Sequence, residues 1–205
     1  MIFDCDGVLA DSEPSSVSAW TSAIAGFGLE VSAHEVESFI GLTERDLALH
    51  YAPLVGTSVQ AMEDAARLAF LGLVGGLAGF ADGARLVAEV ELAGRPFGVG
   101  SNSPRWRLNA VLGGIGLESR LAVSVAGDEV PSPKPAPDVY LEVARRLGVA
   151  PEGCVVIEDT PTGLRAARAA GCATIAVYRG AVERDLLADA DRIVDSLDEL
   201  IDGSA

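Results

Sequence analysis

The chain has 205 residues, enough for one sizeable domain with a smaller companion, and its 49% hydrophobic and 22% charged residues are ordinary for a packed protein. A formal net charge of -15 repels a nucleic-acid backbone, so nucleic acid is not expected as a partner. The same charge does not exclude small anions, because a local site can be positive on an acidic protein.

The chain opens on Met1-Ile2-Phe3, a short apolar run, followed by Asp4-Cys5-Asp6-Gly7. This reads as a strand that delivers two carboxylates into a turn. It is short for a central strand, which points to further residues before Met1. No basic segment precedes an apolar one here, so no signal peptide is expected. From residue 13 to 78 the pattern is helical. Pro14 suits a first helical turn, and Ser32-Ala33-His34-Glu35 and Thr57-Ser58-Val59-Gln60 have capping-box spacing. Gly26, Gly28, Gly41 and Gly56 punctuate the segment into a bundle of about four helices. The uncharged run Leu68 to Ala81 is broken by four glycines and falls short of the roughly 20 apolar residues of a spanning helix. No membrane partner is expected.

From about residue 82, helical stretches near 82–93, 104–113, 137–147, 161–170 and 183–188 alternate with short apolar runs at 97–100, 121–125, 154–157, 174–177 and 192–194. Runs without apolar–polar alternation suit strands buried on both faces of a parallel sheet. The expected fold is α/β: a doubly wound, Rossmann-like core over 1–12 and 79–205, with a small α-helical cap domain inserted over 13–78. Cys5, Cys154 and Cys172 form no close pair in sequence, which suits buried thiols in a reducing compartment, so a cytoplasmic protein is expected.

In open α/β sheets ligands bind at the carboxyl ends of the strands. Four such ends or adjoining loops carry polar groups here: Asp4/Asp6, Ser101/Asn102, Lys134, and Glu158/Asp159. Carboxylates alone suit a hard cation such as magnesium, and Asp4 and Asp159 could each supply an oxygen. Ser101, the helix start at Ser103-Pro104 and Lys134 could hold phosphate oxygens. A metal beside a phosphate clamp suits phosphoryl transfer, where stabilising charge is most of the task. Of the fifteen basic residues only Lys134 is a lysine, which suggests a site that needs a compact point charge.

These motifs carry a resemblance. Asp4-Cys5-Asp6-Gly7-Val8-Leu9-Ala10-Asp11-Ser12, Val99-Gly100-Ser101-Asn102-Ser103, Lys134-Pro135-Ala136-Pro137-Asp138 and Val156-Ile157-Glu158-Asp159-Thr160-Pro161-Thr162-Gly163 resemble, in order, the four motifs of the haloacid-dehalogenase-like superfamily. The likeness is closest to its β-phosphoglucomutase-like phosphatases with a helical cap. It implies that Asp4 is the nucleophile and forms an aspartyl-phosphate, with Asp6 as general acid and base. It also implies magnesium held by Asp4, the Asp6 backbone carbonyl and Asp159, with Glu158 as a ligand through water or as a supporting partner. Ser101, Asn102 and Lys134 are implied as the phosphate clamp, and Glu44 or Arg45 in the cap as contacts to the leaving group.

Within the superfamily, a dehalogenase lacks the second aspartate, which is present here as Asp6. A phosphonatase needs a cap lysine, and there is none. β-Phosphoglucomutase carries a histidine where this chain has Ser16 and a cap arginine where it has Glu44, with Arg45 adjacent. The expectation is therefore a phosphatase acting on a small phosphate monoester, with a phosphohexomutase as the alternative and a non-catalytic phospho-ligand-binding module as a more distant one. Gly7, Gly100 and Gly163 read as turn glycines, His34 and His50 as surface or cap-packing residues, and Trp20 and Trp106 as helix-packing anchors.

Overall fold

The computed structural model describes residues 1–39 and 44–201. The elements in chain order are β1 (Ile2–Phe3), β2 (Ala10–Asp11), α1 (Glu13–Gly26), α2 (Ala33–Glu37), α3 (Glu44–Leu54), α4 (Val59–Leu73), β3 (Ala78–Gly79), α5 (Ala81–Leu92), β4 (Gly98–Gly100), α6 (Arg105–Gly114), β5 (Ser124–Val125), α7 (Asp138–Leu147), β6 (Val155–Glu158), α8 (Pro161–Ala169), β7 (Ala173–Val177) and β8 (Arg192–Val194). They form two compact units, Met1–Asp11 with Ala78–Ala205, and Ser12–Leu77. Among the described residues no helix is long and apolar enough to cross a membrane.

The larger unit is built on a six-stranded sheet of order β5-β4-β1-β6-β7-β8, parallel at every pairing. Its strands lack alternation because both faces are covered: Ile2, Phe3, Val99, Val156, Ile157, Ala176 and Val177 are all fully buried. On one face α7 and α8 contribute Val139, Tyr140, Val143, Ala166 and Ala167 to a cluster with Ile2 and Val156. This is the α/β, Rossmann-like architecture the alternating pattern predicts. With β4 and β5 on one side of β1 and β6 to β8 on the other, β1 sits where the strand order reverses, the usual place for a ligand crevice.

Departures from the expected elements have physical causes. The strand expected over 121–125 pairs only as Ser124–Val125, because it is an edge whose one neighbour, β4, is three residues long. The helix expected near 183–188 is a single 3-10 turn, Arg184–Leu187, ending on buried Leu187. A two-stranded antiparallel ladder between β2 and β3 was not expected, since its partners are far apart in sequence. All three cysteines are buried and free.

The helical unit holds α1 to α4. Pro14 lies in the first turn of α1, and Ser32 with Glu35 completes a capping box at α2. The cap of α4 is Ser58 rather than Thr57; its hydroxyl accepts from Ala61 N. Val17, Trp20, Ile24, Tyr51 and Met62 make its core. His34 is exposed, and His50 is exposed with its ring against Phe39 and Tyr51. Gly41 lies outside the described residues.

The N-terminal turn of α5 is tied to the far end of the chain by Asp82, which is 7% exposed. Its carboxylate accepts from Gly83 N at 2.8 Å, Leu197 N at 2.9 Å, Ser196 Oγ at 3.2 Å and both terminal nitrogens of Arg179 at 2.9 Å. Burial opposes its charge, but the Arg179 fork and the backbone donors outweigh burial and lower its pKa to about 2. A depressed carboxylate stabilises the fold above the ordinary aspartate range and stops doing so as pH falls through its folded pKa. Asp82→Asn is therefore expected to melt below the wild type at pH 7 by a margin worth about 1–2 kcal/mol. Melting curves taken between pH 7 and about 2 should show that margin shrinking below about pH 4; a margin independent of pH would show that the charge of Asp82 is not its source.

Candidate active site

Three strand ends and one loop converge. Register places Asp4, just past β1, level with Glu158 at the end of β6, and Asp4 N donates to Ile157 O at 2.9 Å. Lys134 reaches in from the loop before α7, and its Nζ donates to Asp4 Oδ1 at 2.5 Å and to Glu158 Oε1 at 2.7 Å. All three residues are nearly buried, with exposures of 8%, 1% and 8% for Asp4, Glu158 and Lys134. Burial lowers the pKa of Lys134, but the two carboxylates outweigh it and hold the ammonium protonated. The pKa of Asp4 is also raised, which for an acid favours the neutral form. Burial pushes it up to about 7 against the pull of Lys134, with Glu158 and Asp6 adding repulsion.

Glu158 is held from both ends. Oε1 also accepts from Tyr140 Oη at 2.6 Å. Oε2 accepts from Asp159 N, Thr160 N and Thr160 Oγ1, the last at 2.9 Å. Burial opposes its charge, yet Lys134 and these donors keep it below the usual range, so it stays ionised. Thr160 in turn caps α8, accepting from Gly163 N at 3.1 Å. Its neighbour Asp159 is buried, and Oδ1 has no hydrogen-bond partner. Burial, then Glu158 and Asp4, push Asp159 well above the usual carboxylate range.

Asp4, Glu158 and Asp159 each offer a carboxylate oxygen within 4.8 Å of the others. An all-oxygen set, an orphaned buried oxygen and crowded like charges fit a hard divalent cation. Glu158 is already engaged at both oxygens, so the open capacity lies on Asp4 and Asp159.

The second aspartate, Asp6, accepts from Ser103 Oγ at 3.0 Å and lies 3.8 Å from an Arg107 nitrogen. Ser101 Oγ accepts from Ser103 N at 3.0 Å, which fixes the loop after β4. Asn102 braces the lysine loop: its Oδ1 accepts from Lys134 N at 2.7 Å and its Nδ2 donates to Lys134 O at 3.3 Å. The seven core residues expected at the site thus lie on strand ends and loops of one unit. Glu44 and Arg45 are at the start of α3 in the helical unit, where Arg45 pairs with Glu63 at 3.3 Å. Gly41, Leu42 and Thr43, which precede them in the expected recognition stretch, lie outside the described residues.

Sequence reasoning did not single out Tyr140, Thr160 or Arg107. Thr160-Pro161 carries a readable signal, a capping residue before a first-turn proline. Tyr140 and Arg107 carry none, since an aromatic or an arginine one turn into a helix looks like packing or solvent. Of the three glycines read as turns, only Gly7 is one, with φ +80°. Gly100 lies in β4, where an added Cβ would sit 3.3 Å from the Tyr140 ring. Gly163 lies in α8, where an added Cβ would meet Glu158 Oε1 at 1.7 Å.

Gly163 gives a test of how firmly Glu158 is held. Alanine is better than glycine inside a helix by roughly 1 kcal/mol, so Gly163→Ala should stabilise α8 unless the carboxylate cannot move. Because Glu158 is pinned at both oxygens, the variant is expected to be less stable by about 1–3 kcal/mol, the scale of overpacking. Thermal unfolding decides it: a raised melting temperature would mean that Glu158 swings aside freely.

The family model described as haloacid dehalogenase-like hydrolase matches residues 1–177. A phosphoglycolate phosphatase of Xylella fastidiosa (strain 9a5c) is 29% identical over 201 residues, spanning 95% of this chain and 88% of its own length. A fructose-1-phosphate phosphatase of Escherichia coli (strain K12) is 34% identical over 185 residues, spanning 83% and 92%. The crystal structure of CbbY from Rhodobacter sphaeroides in complex with phosphate matches with a TM-score of 0.85 at 28% identity, over 97% of this chain and 94% of that one. The chain belongs to the haloacid dehalogenase-like hydrolases.

Proposed function

We propose that this chain is a magnesium-dependent phosphatase that hydrolyses a small phosphate monoester through an aspartyl-phosphate on Asp4. The observation that carries the reading is the buried Asp4, locked by the one lysine of the chain and set beside an aspartate with an unpartnered oxygen. The relatives support the reaction class, since two of them are phosphatases of small phosphorylated metabolites.

Lys134 holds Asp4 Oδ1 and leaves Oδ2 to attack phosphorus. As the new O–P bond forms, the bond from phosphorus to the ester oxygen breaks, and Asp6 gives its proton to the departing alkoxide. In the second half, a water attacks the phosphorus of the acyl phosphate, Asp6 takes its proton, and Asp4 leaves as a carboxylate. Splitting the displacement in this way replaces one hard step with two easier ones. Ser103 Oγ, on Asp6 Oδ2 at 3.0 Å, keeps the acid–base group oriented for both halves. Ser101 and Lys134 hold the transferring phosphoryl oxygens, and Asn102 serves them by fixing the backbone of Lys134. Glu158 acts as the anchor that aims Lys134 at the site, and would help to hold the metal. Magnesium, held by Asp4, Asp159 and the Asp6 carbonyl, would supply positive charge against the crowded carboxylates and the anionic substrate. Glu44 and Arg45 remain our candidates for leaving-group contacts, on the resemblance alone.

The test is phosphate release from a panel of sugar phosphates and short phosphorylated acids. Release should require magnesium, stop on chelation, vanish in Asp4→Asn, and fall about 10²- to 10⁴-fold in Asp6→Asn, the usual worth of general acid–base help. Equal turnover by wild type and Asp4→Asn would overturn the mechanism. Transfer of phosphate between positions of a hexose faster than its release would instead make the chain a mutase.

A further inference from the structure

Arg179 stands two residues past the end of β7, outside every motif that marks the site, yet its guanidinium reaches the turn that carries both aspartates. Nε lies 3.4 Å from Gly7 O and Nη2 lies 3.4 Å from Val8 O. These are the two residues that follow Asp6. The turn itself closes through Gly7 N to Ala10 O at 2.9 Å, and through Leu9 N and Ala10 N to Cys5 O at 2.9 and 3.0 Å. That closure leaves the Gly7 and Val8 carbonyls to Arg179.

The guanidinium is not free to wander. Its two terminal nitrogens each meet an Asp82 oxygen at 2.9 Å, and its carbon lies 4.0 Å from the centroid of the Phe80 ring. Arg179 and Asp82 side chains are 15% and 9% exposed. Asp82 is itself fixed by Gly83 N, Leu197 N and Ser196 Oγ. A planar fork can satisfy a carboxylate on one edge and carbonyls on another; an ammonium cannot do so from one position. If the ion pair served folding alone, Asp82 would suffice as its partner, and contact with the catalytic turn would be incidental.

We propose that Arg179 is a positioning residue for the reaction: by holding the Gly7 and Val8 carbonyls it sets where Asp6 stands relative to Asp4. The proposal rests on the phosphatase reading above. Misplacing a reacting group by about 1 Å costs on the order of 10²-fold in rate, so a small relaxation of this turn is enough to be seen.

The experiment compares wild type with Arg179→Met, Arg179→Lys and Asp82→Asn, each verified as folded by circular dichroism at the assay temperature. Arg179→Met is expected to lose about 10- to 100-fold in kcat with KM essentially unchanged. Arg179→Lys should recover part of the loss, and Asp82→Asn, which loosens the orientation of Arg179, should fall between. Amide hydrogen exchange supplies a readout that needs no turnover. In Arg179→Met the Leu9 and Ala10 amides should exchange faster, while those of Val156 and Ile157 keep their protection. A folded Arg179→Met variant with wild-type kcat and unchanged exchange in the turn would overturn the proposal. So would an effect on KM alone, or a uniform loss of protection across the sheet, which marks a purely structural role. Should Arg179→Met not fold, Arg179→Lys and Asp82→Asn carry the same comparison. If the wild type releases no phosphate, the phosphatase reading fails, and the exchange result still decides whether Arg179 holds the turn.

Discussion

Three carboxylates and one ammonium are buried together at the carboxyl end of this sheet. The attraction of Lys134 for Asp4 and Glu158 is what makes that burial tolerable. Removing charges from water costs several kcal/mol per ion in a protein interior, and only close pairing with further hydrogen bonds offsets it. Lys134 satisfies two of the three acids, and the third, Asp159, is left with an orphaned oxygen. The site is thus short of positive charge in a direction that a divalent cation and its waters would complete. Much of the surrounding architecture follows from keeping this arrangement in place.

Each neighbour of the cluster has a task set by that need. Tyr140 and the start of α8 hold Glu158, and Glu158 in turn holds the ammonium of Lys134 against Asp4. Asn102 fixes the backbone of the lysine, which joins the loop after β4 to the loop before α7. Gly7 and Gly163 are glycines because Asp159 and Glu158 occupy the space a Cβ would take; at Gly7 the nearest atom, Asp159 Oδ2, would be 1.9 Å away. These glycines are therefore read better as imprints of the carboxylates than as sources of flexibility.

That also explains which features were legible in the sequence. Asp4, Asp6, Glu158 and Asp159 could be found because polar residues at the ends of uninterrupted apolar runs are conspicuous, and alternation of runs with helical patterns places those ends on one side of a sheet; Lys134 stood out as the one lysine, in a proline-rich loop. That the sheet is parallel followed from the same alternation; the order of its strands did not. Partners reached by side-chain length across the fold were not legible. Tyr140 and Arg107 sit one turn into helices, and Arg179 stands in a loop beyond β7, where local pattern says nothing about direction. The β2–β3 ladder was hidden for the same reason: its partners lie on opposite sides of the whole helical unit in sequence.

The two cations that matter most here differ in kind, and the difference matches their work. Lys134 stands between two carboxylates and, on the proposed mechanism, must also leave room for transferring oxygens, which suits a compact charge with donors spread around one nitrogen. Arg179 must grip a carboxylate and two carbonyls at once, which suits a rigid plane with several donors. Exchanging them would cost function at both places. On the proposed mechanism a guanidinium at position 134 would compete for the space of the phosphoryl group, and at position 179 an ammonium would have to choose between Asp82 and the turn. The bias of this chain toward arginine, with fourteen arginines against one lysine, therefore makes the exception at position 134 the more informative of the two.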